Sequence, residues 1–242
     1  MFKALFIIGT AIASSLAMAL SFDADVPVTI KMQMEADLAF IGGIQGSGQT
    51  ALHKEVFGDV SGITYKKFFE SHIQTVGISY CRNGLPVACV FPTINENKLF
   101  LTQNFVKLSI PQTARLMVIY HESRHAEKEN KLLAKDIGFS PNWPHANCPI
   151  PFLDNQGRDK TIMKSGEKLE GLPACDTSAY GSYGSSTILF KNLSKFCRNC
   201  SDKIKMDADM FASDQLSRIS DAGSLKSMLV DFNEARLEGY AE

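Results

Sequence analysis

Residues 112–130, QTARLMVIYHESRHAEKEN, are apolar nearly all round up to Tyr120 and polar beyond His125. That pattern predicts a buried helix whose last turn reaches the surface. Ala114, Met117 and Val118 continue the stripe of His121 and His125 backward, and Leu116 and Ile119 lie on the other side. Ser109 reads as the N-cap, with Pro111 in the first turn. Before this stretch the pattern is strand-rich. Val28, Ile30, Met32 and Met34 alternate with polar residues and predict a strand. Residues 43–50, GIQGSGQT, nearly spell a phosphate-binding loop, but Gln49 stands where the lysine belongs, so the segment reads as a flexible turn. A short helix and then a strand fit 63–80. Residues 78–91 read as a hairpin about Asn83-Gly84, and 98–108 as a further strand.

After the motif the pattern changes. Residues 138–185 are irregular and rich in Pro and Gly, which inside a compact domain marks a functional segment or a disordered one. From Ser186 onward the spacing is helical, with serines as caps. Ile204, Ala208, Phe211 and Ile219 form an apolar stripe over 201–220, and a last helix, or a mixture of helix and strand, covers 224–238. The expected fold class is α+β: a strand-rich N-terminal half with the motif helix, then a helical C-terminal half, in one domain over 20–242.

Composition changes this picture little. The chain has 242 residues, 25 Lys+Arg against 26 Asp+Glu, and a formal net charge of −1. Nothing marks a nucleic-acid-binding surface. Residues 1–19 read as a signal peptide: Lys3, an apolar run over 4–13, and Ala17-Met18-Ala19 as cleavage site. No later run is long and apolar enough to span a membrane. The mature protein is therefore expected in the periplasm or outside the cell. Its six cysteines then read as disulfides. The assignment expected is Cys81–Cys89 across the hairpin, Cys197–Cys200 locally, and Cys148–Cys175 clipping the irregular segment.

The chemistry centres on His121-Glu122-Ser123-Arg124-His125, an H-E-x-x-H pattern. Residues four apart on a helix lie on one face, so two neutral imidazoles can grip one Zn²⁺ while Glu122 reaches a water in an open metal position. A catalytic zinc wants a third protein ligand. Lys128 and Lys131 stand where a third histidine pattern would need Gly and His. Glu167 and Glu170 sit in a polar Gly-flanked segment. His145 and Asp176 are the better candidates, because a Cys148–Cys175 bond brings them into one neighbourhood, one as ligand and the other behind it. Tyr180 and Tyr183 are candidates to hydrogen-bond an oxyanion. His53 and His72 read as core or surface histidines. Cys197-x-x-Cys200 closes a helix, which is the wrong context for a thioredoxin-like redox site.

The motif helix resembles that of the zincin metallopeptidases, and Asp176 followed by Tyr-Gly is similar to the aspzincins, the deuterolysin-like peptidases. In those, an aspartate in G-T-x-D-x-x-Y-G is the third ligand. This chain departs from the pattern: Ala174-Cys175 stands where G-T-x would, and Tyr180 follows Asp176 by four residues. H-E-x-x-H, then W-P-H-x-x-C-P, then A-C-D…Y-G is also similar to a group of uncharacterised secreted bacterial proteins over roughly 110–200. The resemblance implies a secreted zinc metallopeptidase with a protein or peptide substrate, whose sheet edge holds an extended peptide by strand addition. A cell-wall peptide hydrolase and a non-enzymatic exported binding protein are the alternatives. The residues do not speak to oligomeric state.

Overall fold

The structure is a computed structural model, and it describes residues 20–79, 81, 87–91, 95–107, 110–127, 143–154, 156–162 and 166–238. The expected leader peptide, the Asn83-Gly84 turn, the Ser109 cap, Lys128 and Lys131 lie outside the described residues. The elements in chain order are β1 (Ser21–Phe22), α1 (Val28–Gly42), α2 (Ala51–Val56), α3 (Gly62–His72), β2 (Thr75–Ile78), β3 (Ala88–Phe91), β4 (Asn95–Leu101) and α4 (Gln103–Lys107). The motif helix α5 (Gln112–His125) follows, then β5 (Ala146–Asn147), β6 (Pro173–Cys175), α6 (Ser182–Phe196), α7 (Asp202–Leu216) and α8 (Ala222–Glu238). The fold is α+β.

Four strands form one mixed sheet in the order β1-β2-β4-β3. β1, β2 and β4 run parallel, and β3 is the antiparallel edge, pairing Ala88 with Leu101 and Cys89 with Phe100. The expected 78–91 hairpin is therefore corrected: β4 lies between β2 and β3, and the antiparallel pair is β3–β4. The Cys81–Cys89 bond that the hairpin suggested is present and ties the crossing segment to the edge strand. The strand expected over 98–108 ends at Leu101, where Thr102 begins the turn into α4.

The expected first strand is a helix. Val28 and Met32, two members of the alternating set, are exposed, whereas Ile30, Met34, Asp37 and Ile41 face the core at helical spacing. Over four alternating positions the two periods compete; the longer run and its Met, Ala, Leu, Glu and Lys content favour the helix. The 43–50 segment is a packed connection rather than a loose turn. Gln45 bridges Ser61 and Gly46 bridges Cys197, and a Cβ on Gly46 would run into Val60.

The main core lies between the sheet, α1, α3, α5, α6 and α7, with Tyr65, Phe69, Leu99, Leu116, Ile119, Tyr120 and Phe190 fully enclosed. Each such side chain stabilises the fold by roughly 1.5–3 kcal/mol. His53 is part of this core, with Nδ1 against Gly58 O at 2.9 Å and Nε2 against the Tyr65 hydroxyl at 2.8 Å. A second, much smaller cluster (Cys148, Phe152, Leu169, Cys175) holds the irregular lobe after α5. Both remaining disulfides form as expected, Cys148–Cys175 and Cys197–Cys200. α6 begins four residues earlier than expected and its N-cap is Gly181 rather than a serine, while Ser201 does cap α7. α7 faces Ala208, Ala212 and Gln215 inward; Ile219 is buried beyond its end. Among the described residues no helix is long and apolar enough to cross a membrane.

Candidate metal centre

α5 is seated by its buried face and by two anchors. Leu116, Ile119 and Tyr120 enter the main core, and the Tyr120 hydroxyl donates to Tyr65 O at 2.9 Å. At its start Arg115 forks onto Asp37 of α1, with Nε and Nη2 each 2.6 Å from a carboxylate oxygen. Asp37 is 1% exposed; a buried carboxylate in a bidentate pair fixes register because breaking the pair strands a charge. The helix starts with Pro111 at the N-cap position, one place earlier than a first-turn proline. Near its end the Arg124 Nε donates to Tyr180 O at 2.8 Å, and its guanidinium lies 4.5 Å from the centre of the Trp143 ring.

This seating leaves His121 and His125 on one partly buried stripe, with ring centroids 5.0 Å apart. The lobe brings His145 to them. His145 Nε2 lies 3.1 Å from His121 Nε2 and 3.1 Å from His125 Nε2. His121, His125 and His145 thus form a group that can hold a metal ion, each offering one nitrogen within 4.8 Å of the others. No other such group occurs among the described residues. Burial, then the neighbouring His125, His145 and Arg218, hold His121 well below the ordinary imidazole range. A neutral imidazole is the form that ligates. Three such nitrogens within 4.8 Å of one another could hold a metal ion.

Asp176 stands behind His145 rather than inside the triangle. Its Oδ1 lies 3.0 Å from His145 Nδ1, and its Oδ2 accepts from Tyr183 N at 2.7 Å. A carboxylate there keeps the proton on Nδ1 and turns Nε2 inward. The backbone of Asp176 pairs with the chain just past α7: its N–H donates to Arg218 O, and Ser220 N donates back to its carbonyl. Gly181 makes room for it, since a Cβ at that position would overlap Asp176 Oδ2.

Glu122 is buried beside the histidines' face, and burial pushes its carboxyl up to about 8. It lies close enough to act electrostatically on Tyr183. Tyr183 stacks on His145 and meets His121 edge-on, both at 4.6 Å between ring centroids. Burial pushes its hydroxyl up to about 12, against the opposing pull of Arg218. Tyr180 is placed differently. Its hydroxyl donates to Glu55 Oε2 at 2.8 Å, and its carbonyl serves Arg124. Glu170 pairs with Lys168, and neither Glu167 nor Glu170 joins the histidine group.

Two residues of the site carried no signal in the sequence. Gln215, buried at the end of α7, acts on His121 in the sense that favours a proton on the ring. Arg218 donates from Nη1 to the Tyr183 hydroxyl at 3.2 Å. Gln215 lies at the end of α7 and Arg218 just past it, both ninety or more residues from the motif. No protein-family model matches this chain, no curated protein matches it in sequence, and no solved structure matches its fold.

Proposed function

We propose that this protein is an exported zinc-dependent metallopeptidase, with His121, His125 and His145 as metal ligands and Glu122 as general base. The observation that carries the reading is the triangle of three Nε2 atoms with a buried carboxylate next in sequence to its first member. The donor set fits zinc: three imidazoles leave an open position for a substrate or water. Zinc, when bound, supplies a Lewis acid that polarises a carbonyl and lowers the pKa of water toward ~7.

The chain's own groups supply the rest. Glu122 would accept a proton on its carboxylate and pass it toward the leaving amine. A dication held by the three histidines would favour the ionised form of Glu122. Asp176 holds the ring of His145. Tyr183, whose ring lies against His121 and His145, would donate to an oxyanion. β3, the antiparallel edge strand, packs against α5, which favours an extended peptide as substrate over a compact one. Three disulfides accord with an oxidising compartment.

Metal content of residues 20–242, wild type beside His121→Ala, tests the reading. One equivalent of zinc, lost in the variant, is the expected result. A folded wild type that refuses zinc would leave a binding protein with a structural motif. Glu122→Gln should keep the metal and lose at least ~100-fold in turnover. A panel of protein and peptidoglycan substrates then separates a protein peptidase from a cell-wall peptide hydrolase.

A further inference from the structure

Arginines with described partners show a contrast inside the site. Arg115 forks onto Asp37, Arg124 pairs with Glu127, and Arg158 pairs with Asp154. Arg198 is exposed, where water serves it. Arg218 is partly buried, and among the described residues no carboxylate stands within ion-pair distance of it. Its Nη1 meets the Tyr183 hydroxyl, its guanidinium carbon lies 5.0 Å from that ring's centroid, and its Nε is buried with no hydrogen-bond partner among the described residues.

The acids nearby are already engaged. Asp176 uses one oxygen on His145 Nδ1 and the other on Tyr183 N, and Asp214 Oδ2 accepts from Gln215 Nε2. A partly buried cation costs free energy until an anion meets it. This one also stands beside a position for a dication, which raises the cost further. A guanidinium offers a planar fork matched to a carboxylate. The Tyr183 ring centroid lies 5.0 Å from the Arg218 guanidinium carbon and 4.6 Å from the His121 and His145 ring centroids. At about 3.5 Å per extended residue, that offset suits a group about one to two residues from the bond at the metal.

We propose that Arg218 is a specificity-determining residue that binds a carboxylate of the substrate, either the free C-terminus or an acidic side chain next to the scissile bond. The proposal rests on the metallopeptidase reading above and narrows its substrates to peptides carrying a negative charge at that place. Tyr183 holds the guanidinium in position from the metal side.

Cobalt-loaded protein tests it without turnover, because visible absorption reports ligand arrival at the metal. The probes are N-acetyl-phenylalanine, N-acetyl-aspartic acid α-amide and, as the uncharged reference, N-acetyl-phenylalanine amide. Wild type should bind one carboxylate probe roughly 10- to 100-fold tighter than the reference, and the better of the two names the source of the charge. Arg218→Gln should bring all three within ~3-fold, with the cobalt spectrum before addition unchanged. Arg218→Lys should keep part of the preference. A preference that survives in Arg218→Gln means the carboxylate sits on the metal alone and overturns the proposal, as does a wild type with no preference. Failure to take up cobalt at all sinks the metal reading itself, and the proposal with it.

Discussion

Two of the three imidazoles arrive on a helix, and the third on a stretch with almost no regular structure. His121 and His125 are fixed by α5, whose inner face is part of the main core and whose start is pinned by the Asp37–Arg115 pair. His145 is fixed by a lobe with a four-residue core, two of whose members are the bonded Cys148 and Cys175. A two-residue strand pair, the Asp176 contact and the Tyr183 stack complete its support. One side of the site draws its precision from buried apolar area, which is shared with the whole fold. The other draws it from one covalent bond and a few directed polar contacts, which serve the site alone. Damage to the first side should therefore cost global stability, and damage to the second should cost metal affinity.

The largest effect belongs to the core side. Leu116 is 1% exposed on the inner face of α5. Leu116→Ala should destabilise the fold by about 2–5 kcal/mol, measured by urea denaturation of metal-free protein. At temperatures where the variant stays folded its zinc affinity should match wild type. If affinity falls while stability holds, the division of labour described above is wrong.

Acid should weaken the same side. Burial, opposed by the Gly58 carbonyl and Asp59, lowers His53 to about 4, against an ordinary 6.5. Its folded value lies below its unfolded one, so its contribution is complete above pH ~6.5 and is lost as pH falls toward ~4, on the order of 3 kcal/mol in all. The slope of stability against pH over that window, in metal-free protein, should flatten in His53→Gln. Equal slopes in the two proteins would place the acid sensitivity elsewhere.

Next in size comes the lobe's covalent clip. Cys148→Ser with Cys175→Ser should weaken zinc binding by about 10- to 100-fold, the usual range when support behind a ligand is lost, with far-UV circular dichroism unchanged. Cys197→Ser with Cys200→Ser is the control: that bond closes the end of α6 and touches no histidine of the group. Equal losses in the two double variants would show a general need for disulfides rather than a specific hold on His145.

The same contrast explains what could be read in advance. The motif helix was legible because its cue is local: an apolar run with two histidines at helical spacing. The disulfide pattern followed from cysteines that are near in sequence or that flank one irregular segment. His145 and Asp176 were legible as a pair through that bond, and the geometry separates their places, nitrogen toward the triangle and carboxylate behind it. Gln215 and Arg218 left no trace, because their approach depends on α7 packing against α6 and on the bridge between Asp176 and Ile219. No local pattern records a contact made across that distance. The first helix was misread for the opposite reason, since a run of four alternating residues satisfies the strand period as well as the helical one. The strand order was misread because adjacency in sequence favours a hairpin, and here a third strand comes back between the two.

The smallest expected effect is also the most local. Gly181 has φ −65° and ψ −179°, a backbone open to any residue, so alanine there carries no conformational penalty of its own. Its closest conflict is with the Asp176 side chain, whose Oδ2 and Cγ occupy the place of a Cβ. Gly181→Ala should push that carboxylate off Tyr183 N and slacken its hold on His145 Nδ1. Zinc affinity should fall by roughly 10-fold, with the melting temperature of the metal-free protein nearly unchanged. Asp176→Asn, which keeps the shape and an acceptor oxygen but loses the charge, should fall less than Gly181→Ala if position matters more than charge, and further if the charge is what holds the ring. Unchanged affinity in both variants would mean that the lobe's disulfide and the Tyr183 stack already suffice to hold His145.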